Sequence, residues 1–388
     1  MTVVVLILLL LMLFYGFLIE RYRIGWNAIV NYDLDPTLVP ITRISVIIPM
    51  RNEEHNVSRI IDSLKNQSYP FSLFEVLIID DHSTDGTAQL VLDTDHGHLD
   101  IRIYKLSDLK LETDVVAFKK MAIELGVKEA TGQIMVTTDA DCVFTEYWLR
   151  SIESFYQQTG AKCIAGPVRI RNTGTLLSIF QSLDFLTLQG ITGAALRNQL
   201  HIMCNGANFI YEKSAFKEAD GFRDNSGIPS GDDMFLMQKI WSKYPEKVFY
   251  LKSPDAIVTT DPETTIRSFI QQRIRWAGKS ASYGDNKILY ILLTVYAVNL
   301  CLLILAIAVF FKSNMVYLLI LFLVAKILIE YPFVGAVSKF FNAKSAMRYF
   351  IIFQPLHIIY TVFAGLFASV GTYQWKGRTI TKPGKQIE

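Results

Sequence analysis

The chain has 388 residues, of which 51% are hydrophobic and 19% are charged, and its formal net charge at pH 7 is +2. Soluble globular proteins carry about 25% charged residues, so part of this chain is expected to lie in lipid. The same composition excludes collagen-like, intrinsically disordered and disulfide-rich proteins, and the length suffices for two ordinary domains.

The charges are distributed unevenly along the chain. Residues 286–388 contain ten lysines and arginines but two acidic residues, whereas the rest of the chain is acidic overall. We expect an acidic body joined to a basic region that flanks a membrane. This distribution predicts no nucleic-acid partner.

The N-terminal segment is apolar. Residues 2–19 carry no charge and are followed by Glu20, Arg21 and Arg23. A cleaved signal peptide has its positive charges before the apolar run and small residues at a cleavage site after it, and this segment has neither. Residues 1–23 are therefore predicted to be a transmembrane anchor, with a helix about 27 Å long and the following domain in the cytoplasm.

Residues 40–276 alternate between strand patterns and helix patterns. Short apolar runs rich in β-branched residues predict buried strands, and apolar residues at helical spacing predict the helices between them. This alternation predicts an α/β fold with a doubly wound, mostly parallel sheet. The expected strands cover 44–49, 74–79, 101–104 and 133–138, and the expected helices include 53–67 and 116–130.

Polar residues that suit catalysis follow these strands. Arg51 and Glu53 come after the first strand, Asp81 after the second, and Asp139 and Asp141 after the fourth. Because ligands of doubly wound sheets bind at the carboxyl ends of strands, we expect these side chains at one site. The sequence contains neither G-x-G-x-x-G after the first strand nor G-x-x-x-x-G-K-S/T, which disfavours a dinucleotide site and a P-loop.

Asp139 and Asp141 predict a metal site. They lie two residues apart after a strand, so a turn can direct both carboxylates at one cation. Mg²⁺ or Mn²⁺ binds one or two carboxylates and completes its coordination with phosphate oxygens and water. We therefore expect a divalent cation together with a diphosphate. The alternative is that these aspartates cap a helix or lie in a solvated turn.

Further motifs lie toward the end of this region. In Ser230 to Asp233, which precedes an amphipathic helix, one aspartate can act as the N-cap and the other can occupy the first turn. Alternatively, one of them stays free to act as a general base. The segment from Gln272 to Trp276 ends a basic helix, a pattern typical of lipid headgroup contact. Residues 262–280 are accordingly predicted as an interfacial helix. Residues 175–197 form a strongly apolar helical stretch, whose length and position also predict an interfacial helix; the alternative is a helix in the domain core.

Three more apolar segments follow, at 288–311, 315–337 and 349–373. Each is long enough to span a bilayer, so residues 287–373 are predicted to form transmembrane or interfacial helices. Basic residues follow both the second and the third segment, which leaves the number of spans open. Residues 374–388 are predicted to be a basic tail.

Lys326 and Glu330 lie within one of these apolar segments, one helical turn apart. They can pair inside a helix bundle. Alternatively, Lys326 extends to the membrane interface and Glu330 ends the span.

Taken together, five motifs occur in a fixed order along the chain. The motifs are I-I-P-M-R-N-E-E from Ile47 to Glu54, I-D-D-H-S-T-D-G-T from Ile79 to Thr87, D-A-D from Asp139 to Asp141, Asp232-Asp233, and Q-R-I-R-W from Gln272 to Trp276. They resemble those of the membrane-bound family 2 glycosyltransferases with a GT-A fold, among them ceramide and carotenoid glycosyltransferases and hyaluronan and cellulose synthases. The resemblance covers roughly residues 45–276.

The resemblance implies a cytoplasmic GT-A domain over residues 40–276 of an integral protein of the cell inner membrane. It implies that the enzyme moves a sugar, with inversion, from a nucleotide-sugar, expected to be UDP-linked. The acceptor would be a hydroxyl of a lipid-linked or polysaccharide molecule. Asp139 and Asp141 would hold Mg²⁺ or Mn²⁺, Asp233 would be the general base, and Asp232 would replace the family's usual glutamate.

The resemblance also implies which residues bind the substrates. Gln272, Arg275 and Trp276 would close over the diphosphate and border the acceptor. One of two adjacent lysines would approach the nucleotide. The residues implied to bind the nucleotide-sugar are Pro49, Arg51, Glu53, Asp81, Lys119, Lys120 and Asp139.

Three other functions stay open. The chain can be a processive polysaccharide synthase that also extrudes its product, although the single N-terminal span argues against a long polymer channel. It can be a non-catalytic membrane scaffold or transporter with a degenerate domain, against which the intact acidic set argues. A sugar nucleotidyltransferase is disfavoured because no glycine-rich basic loop follows the first strand.

Overall fold

The computed structural model of the protein describes residues 2–109, 117–223, 231–279, 286–370, 373–375, 378–380 and 386–387. These fall into two compact units. The helical unit comprises Met1–Ile29, Ile170–His201 and Pro262–Tyr373, and the α/β unit comprises Val30–Arg169, Ile202–Asp261 and Gln374–Glu388.

The helices are numbered in chain order. They are α1 Thr2–Ala28, α2 Glu54–Lys65, α3 Thr87–Asp93, α4 Phe118–Glu129, α5 Trp148–Thr159, α6 Leu176–Arg197, α7 Lys213–Glu218, α8 Asp232–Lys243, α9 Ile266–Lys279, α10 Asn286–Phe311, α11 Met315–Phe340 and α12 Phe350–Val370.

The strands are numbered in the same way. They are β1 Ile44–Met50, β2 Phe74–Asp80, β3 Asp100–Lys105, β4 Ile134–Thr137, β5 Cys163–Ala165, β6 Val168–Ile170, β7 Phe209–Glu212, β8 Val248–Tyr250, β9 Val258–Thr260, β10 Tyr373–Trp375, β11 Arg378–Ile380 and β12 Gln386–Ile387.

A seven-stranded sheet in the order β3-β2-β1-β4-β7-β5-β8 forms the centre of the α/β unit. Strand β1 pairs in parallel with β2 and β4, β2 pairs in parallel with β3, and β7 runs antiparallel to both of its neighbours. The mostly parallel α/β sheet predicted from the sequence is confirmed. The predicted strands end within two residues of the observed ones, and β2 extends one residue beyond its predicted end, to Asp80.

Burial explains why strands β1 and β2 could be predicted from the sequence. Ile44, Val46, Ile47 and Ile48 of β1 have no exposed surface, and every residue of β2 is buried. Each such aliphatic side chain contributes about 1.5–3 kcal/mol when it leaves water. A strand covered on both faces therefore shows consecutive apolar residues, as this sequence does at 46–48 and 76–79.

Within its described residues, the helical unit has four helices that are long and apolar enough to cross a membrane, at Val5–Ala28, Lys287–Phe311, Met315–Phe340 and Lys344–Phe367. Their orientation and the number that cross stay predictions. Helix α6, expected as an interfacial helix, begins after Thr175, whose hydroxyl accepts a hydrogen bond from the backbone of Ser178 at 3.2 Å. Its place at a bilayer surface also stays a prediction.

Close helix packing in this unit depends on glycine. A Cβ atom on Gly190 of α6 would lie 2.3 Å from Val337 Cγ2 of α11, which is too close for any real side-chain contact. The ring of Trp26 at the end of α1 lies 5.5 Å from that of Phe340 at the end of α11. Helices α1, α6 and α11 are thus packed against one another.

Lys326 and Glu330 pair inside the helical unit. Lys326 Nζ lies 2.7 Å from Glu330 Oε1 and donates to Gln354 Oε1 at 2.6 Å, and Gln354 donates to Glu330 Oε2 at 2.8 Å. The hydroxyl of Tyr15 also donates to Glu330. All four side chains are buried, and α11 continues to Phe340, so the lysine does not extend outward and the glutamate does not end the helix.

Candidate active site

Arg51 and Asp81 meet where β1 and β2 end. Asp81 N donates to the Met50 carbonyl at 2.7 Å, and Arg51 Nη1 donates to the Asp81 and His82 carbonyls at 2.8 and 3.1 Å. Arg51 Nη1 also lies 3.9 Å from Asp81 Oδ1, whose residue is 3% exposed. The parallel pairing of the two strands places these residues together, as the sequence predicted.

The turns after these strands hold each other in place. Asn52 and His82 adopt φ angles of 52° and 53°, in the left-handed region that non-glycine residues rarely occupy. Asn52 Oδ1 accepts a hydrogen bond from Thr84 N at 2.8 Å, and Glu54 Oε2 accepts one from Gly86 N at 2.9 Å. Such strain persists only where surrounding contacts maintain it, and it is concentrated at functional sites.

Glu53 and Pro49 lie in the same region. Glu53 N donates to Thr87 Oγ1 at 2.7 Å, and its carboxylate accepts a hydrogen bond from Asn56 Nδ2 at 2.6 Å. Pro49 lies in β1, in register with Ile79 of β2. Thr87 and Asp85 both belong to the second motif, and the Thr87 hydroxyl donates a hydrogen bond to Asp85 Oδ1.

Asp85 stabilises the turn before α3. Its Oδ1 accepts hydrogen bonds from the hydroxyl and, at 3.0 Å, from the backbone of Thr87. Partial burial raises the pKa of the Asp85 carboxyl, but these hydrogen bonds outweigh it, and the net pKa is below its ordinary value. The charged carboxylate is therefore the form that the folded turn favours.

Lys119 joins residues from three elements into one cluster. From the first turn of α4, Lys119 Nζ donates to Asp139 Oδ1 at 2.8 Å and lies 3.9 Å from Asp232 Oδ2. Burial opposes its charge, but the nearby carboxylates of Asp139, Asp232 and Asp233 outweigh burial and raise its pKa above the ordinary value. An ammonium cation therefore lies among the predicted catalytic and metal-binding acids.

The adjacent Lys120 does not share this position. It is 1% exposed, and its Nζ lies 4.7 Å from the ring centroid of Phe235 and 5.9 Å from that of Phe222. Successive helix residues point about 100° apart, so one lysine faces the acids and the other faces the interior. Of the two lysines proposed from the sequence, Lys119 is the one that contacts the acidic cluster.

Asp232 and Asp233 begin helix α8, but neither is its N-cap. That position belongs to Gly231, whose φ of 85° lies in the left-handed region open to glycine. The expectation that one aspartate caps the helix is therefore wrong, because the chain enters the helix one residue earlier. Both aspartates occupy the first turn, where the helix dipole favours negative charge. Ser230 lies outside the described residues.

The Asp233 carboxylate is fixed by two backbone N–H groups. Oδ2 accepts a hydrogen bond from Gly206 at 2.9 Å, and Oδ1 accepts one from Met234 at 2.8 Å. Asp232 is 6% exposed, whereas Asp233 is more accessible. A Cβ atom on Gly206 would lie 3.3 Å from Lys119 Nζ and 3.8 Å from Asp233 Oδ2, so this glycine lets the backbone approach the cluster closely.

Asp139 and Asp141, just after β4, are both partly exposed. Asp141 Oδ2 accepts a hydrogen bond from Thr260 Oγ1 at 2.7 Å. The described residues contain no group of three or more His, Cys, Asp or Glu side chains suited to a metal ion. Mg²⁺ and Mn²⁺ are commonly held by one or two carboxylates plus phosphate oxygens and water, so this pair fits a cation that arrives with a diphosphate.

Gln272, Arg275 and Trp276 lie on α9 of the helical unit. Gln272 Nε2 donates to Glu263 Oε1 at 3.1 Å, and the Trp276 ring lies 5.8 Å from that of Phe185. Their assignment to the diphosphate and acceptor stays a prediction. Arg273, in the same motif, was given no role from the sequence; it is 4% exposed and pairs with Asp184, which is also buried.

Two family models match the chain. The model described as "Glycosyl transferase family 2" matches residues 45–219, and "Glycosyl transferase family group 2" matches residues 134–367, more than half of the chain. These ranges include every motif on which the resemblance was based.

Curated relatives are similar over the same region. The chain is 26% identical over 239 residues to the poly-beta-1,6-N-acetyl-D-glucosamine synthase of Staphylococcus epidermidis, covering 60% of this chain and 53% of that protein. It is 24% identical over 261 residues to the dolichyl N-acetyl-alpha-D-glucosaminyl phosphate 3-beta-D-2,3-diacetamido-2,3-dideoxy-beta-D-glucuronosyltransferase of Methanococcus voltae, covering 63% and 72%. The chain spans about half the length of the first relatives it matches.

A solved structure shares the fold. The mannosyltransferase PcManGT from Pyrobaculum calidifontis, in complex with GDP-Man and Mn²⁺, aligns over 93% of this chain and 96% of its own. The TM-score is 0.52 at 17% sequence identity. The predicted GT-A architecture is thereby confirmed.

Proposed function

Because this chain belongs to glycosyl transferase family group 2, we propose that it moves a sugar from a nucleotide-sugar to an acceptor hydroxyl by a single, inverting displacement. The observation that carries the proposal is the cluster of Lys119, Asp139, Asp232 and Asp233 in the α/β unit. The Asp233 carboxylate is held by two backbone N–H groups. The Lys119 ammonium lies beside Asp139, which is a predicted metal ligand.

The nucleotide end of the donor is assigned to the ends of β1 and β2. Arg51 and Asp81 offer a guanidinium and a carboxylate beside each other there, which suits the polar edges of a base and a ribose. Pro49 and Glu53 border the same turns. Ligands of doubly wound sheets bind at the carboxyl ends of strands, which supports this assignment.

The diphosphate is assigned to Lys119, Asp139 and Asp141. The Lys119 ammonium is a donor for phosphate oxygens, and raising its pKa keeps it charged at neutral pH. Asp139 and Asp141 would hold Mg²⁺ or Mn²⁺, which when bound neutralises the negative charge of a leaving diphosphate. The Pyrobaculum calidifontis mannosyltransferase, which shares the fold, was solved with Mn²⁺, and this favours Mn²⁺ or a similar divalent cation here.

Asp233 is assigned as the general base. The acceptor oxygen forms a bond to the anomeric carbon while the bond from that carbon to the diphosphate oxygen breaks, and the acceptor proton passes to the Asp233 carboxylate. The nucleoside diphosphate leaves on the opposite face, so the configuration inverts. Two backbone donors hold this carboxylate in one orientation, which lets it meet a hydroxyl without rearrangement.

The acceptor is assigned as a lipid-linked or polysaccharide molecule. Four apolar helices in the same chain support an acceptor at a bilayer, and the name of the Methanococcus voltae relative includes a dolichyl phosphate sugar. The proposal includes Gln272, Arg275 and Trp276 as contacts for the diphosphate and acceptor, on the basis of the Q-x-x-R-W pattern. It also includes a cytoplasmic catalytic unit and an inner-membrane location.

A donor screen tests the proposal. Purified full-length protein in detergent would be incubated with UDP- and GDP-sugars, Mn²⁺ or Mg²⁺, and a lipid extract, and nucleoside diphosphate release would be measured. We expect release with at least one donor and a product one sugar heavier than its acceptor by mass spectrometry. No release with any donor would contradict the proposal.

A processive polysaccharide synthase is the second candidate. The similarity to the Staphylococcus epidermidis synthase favours it. Product length in the same mass spectra separates the two functions, because a processive enzyme gives a ladder of long products at low turnover.

A further inference from the structure

One face of α6 holds helix α9, the helix with the Q-R-I-R-W segment. Gln181, Asp184 and Phe185 of α6 lie three and four residues apart, so they share a face. Gln181 donates to the Glu263 carbonyl and accepts from Glu263 N, both at 2.9 Å. This pair of hydrogen bonds fixes the backbone just before α9.

Arg273 is the contact between Asp184 and the rest of α9. Its Nε donates to Asp184 Oδ2 at 2.9 Å, and its Nη2 lies 2.7 Å from the same oxygen. The guanidinium carbon lies 4.6 Å from the Phe269 ring centroid and 4.3 Å from that of Trp276. Phe185 contacts the Trp276 ring from α6.

The same guanidinium also orients Gln272. Arg273 Nη1 donates to Gln272 Oε1 at 2.5 Å, which leaves the Gln272 amide nitrogen to donate to Glu263 Oε1 at 3.1 Å. Arg273 therefore contacts two of the three motif residues assigned to substrate. Its own side chain is 4% exposed and so points inward, not into solvent.

Asp184 makes this arrangement stable. An arginine stays charged in a protein, so a buried guanidinium needs a charged partner. Asp184 is the carboxylate that meets it, and the Tyr360 hydroxyl of α12 donates to the other Asp184 oxygen. Without this carboxylate the guanidinium would have to turn toward water, which would release Gln272 and the Trp276 ring.

We propose that Asp184 is a positioning residue for the transfer reaction: through Arg273 it fixes Gln272 and Trp276 in the orientation that the reaction needs. The proposal rests on the proposed function. The Asp184 side chain is 5% exposed and its two oxygens are taken by Arg273 and Tyr360, so its loss should lower kcat more than it raises KM for the donor.

The test compares Asp184→Asn, Asp184→Glu and Glu20→Gln in the full-length protein in detergent. Glu20→Gln is the matched control, because it removes a carboxylate from an exposed ion pair with Arg23 in the same helical unit. Hydrogen exchange of the 266–279 amides reports on α9 without any substrate. Nucleoside diphosphate release gives kcat and KM.

We expect Asp184→Asn to speed exchange in 266–279 and to lower kcat on the order of 10²-fold, the cost of a misplaced catalytic contact. Asp184→Glu should recover part of kcat, and Glu20→Gln should match the wild type in both measurements. Unchanged exchange in Asp184→Asn, or faster exchange with an unchanged kcat, would overturn the proposal.

The two proposals fail differently. A wild-type protein that releases no nucleoside diphosphate contradicts the proposed function, while faster exchange in Asp184→Asn would still show that the carboxylate holds α9. A global loss of thermal stability in Asp184→Asn, with faster exchange throughout the helical unit and no recovery by Asp184→Glu, would overturn the positioning role.

Discussion

Replacing Lys119 with glutamine tests the centre of the acidic cluster. The ammonium lies 2.8 Å from Asp139 and 3.9 Å from Asp232, and the side chain is 22% exposed, so it is only partly screened by water. Glutamine keeps a donor of similar length but removes the positive charge that a diphosphate would meet.

The size of the effect follows from one charge-assisted hydrogen bond. Such a bond contributes about 1.5–3 kcal/mol, so Lys119→Gln is expected to weaken nucleoside diphosphate binding by about 10–100-fold. Without the ammonium, the negative charges of Asp139, Asp232 and Asp233 would also be less neutralised. These charges would repel the diphosphate and weaken its binding further. Calorimetric titration with UDP and GDP in the presence of Mn²⁺ measures this change directly.

Two further variants make the result specific. Lys128→Gln removes an exposed lysine from the same helix, with 76% of its side chain accessible, and should leave the affinity unchanged. Lys120→Met removes the buried lysine beside Phe235 and should lower the melting temperature without a change in affinity. Equal loss of affinity in Lys119→Gln and Lys120→Met, or no loss in Lys119→Gln, would refute the assignment of Lys119 to the diphosphate.

Two other predictions concern stability. Lys326→Met leaves Glu330 buried without its cation and should cost ~3–5 kcal/mol, whereas the double change with Glu330→Leu should recover most of the thermal stability in detergent. Asp85→Ala should lower the melting temperature at pH 7, because the folded state depresses the pKa of this carboxyl. The deficit should begin to shrink as the pH falls below about 4, the ordinary aspartate pKa, and its charge-dependent part should be lost only once the pH has fallen through the lower folded-state pKa. A deficit that grows at acidic pH would contradict the sign of that shift.

The fold of the α/β unit was predictable where burial dominates the sequence. Strands β1 and β2 contain buried runs of consecutive apolar residues, at 46–48 and 76–79, and these runs located both strands. The antiparallel direction of β7 was not predicted, because strand direction depends on which edge the chain returns to, and a four-residue strand does not encode it.

The site was predictable in its residues more than in its contacts. The sequence assigned Arg51, Asp81, Asp139 and Asp233 to one site, but it did not choose between the two lysines. A signal for that choice was present: Lys120 is in helical register with Ile123 and Val127, which are buried, so it belongs to the inner face of α4.

The N-cap and the α6–α9 contact were harder to predict. Whether α8 begins at Gly231 or at an aspartate depends on a backbone angle, and either choice leaves both carboxylates near the helix start. The Asp184–Arg273 pair joins residues 89 positions apart, and nothing local in the sequence links them. Asp184, a charged residue within the apolar helix α6, was the available signal, because a buried carboxylate needs a partner.

The most direct test of the account is the turnover of Asp233→Asn, with Asp141→Ala beside it. Asp93→Asn, at the exposed end of α3, is the matched control. We predict that Asp233→Asn lowers nucleoside diphosphate release by about 10²–10⁴-fold while donor affinity is retained, and that Asp141→Ala lowers both. Turnover of Asp233→Asn at the rate of the Asp93→Asn control would show that Asp233 is not the base and would contradict the mechanism.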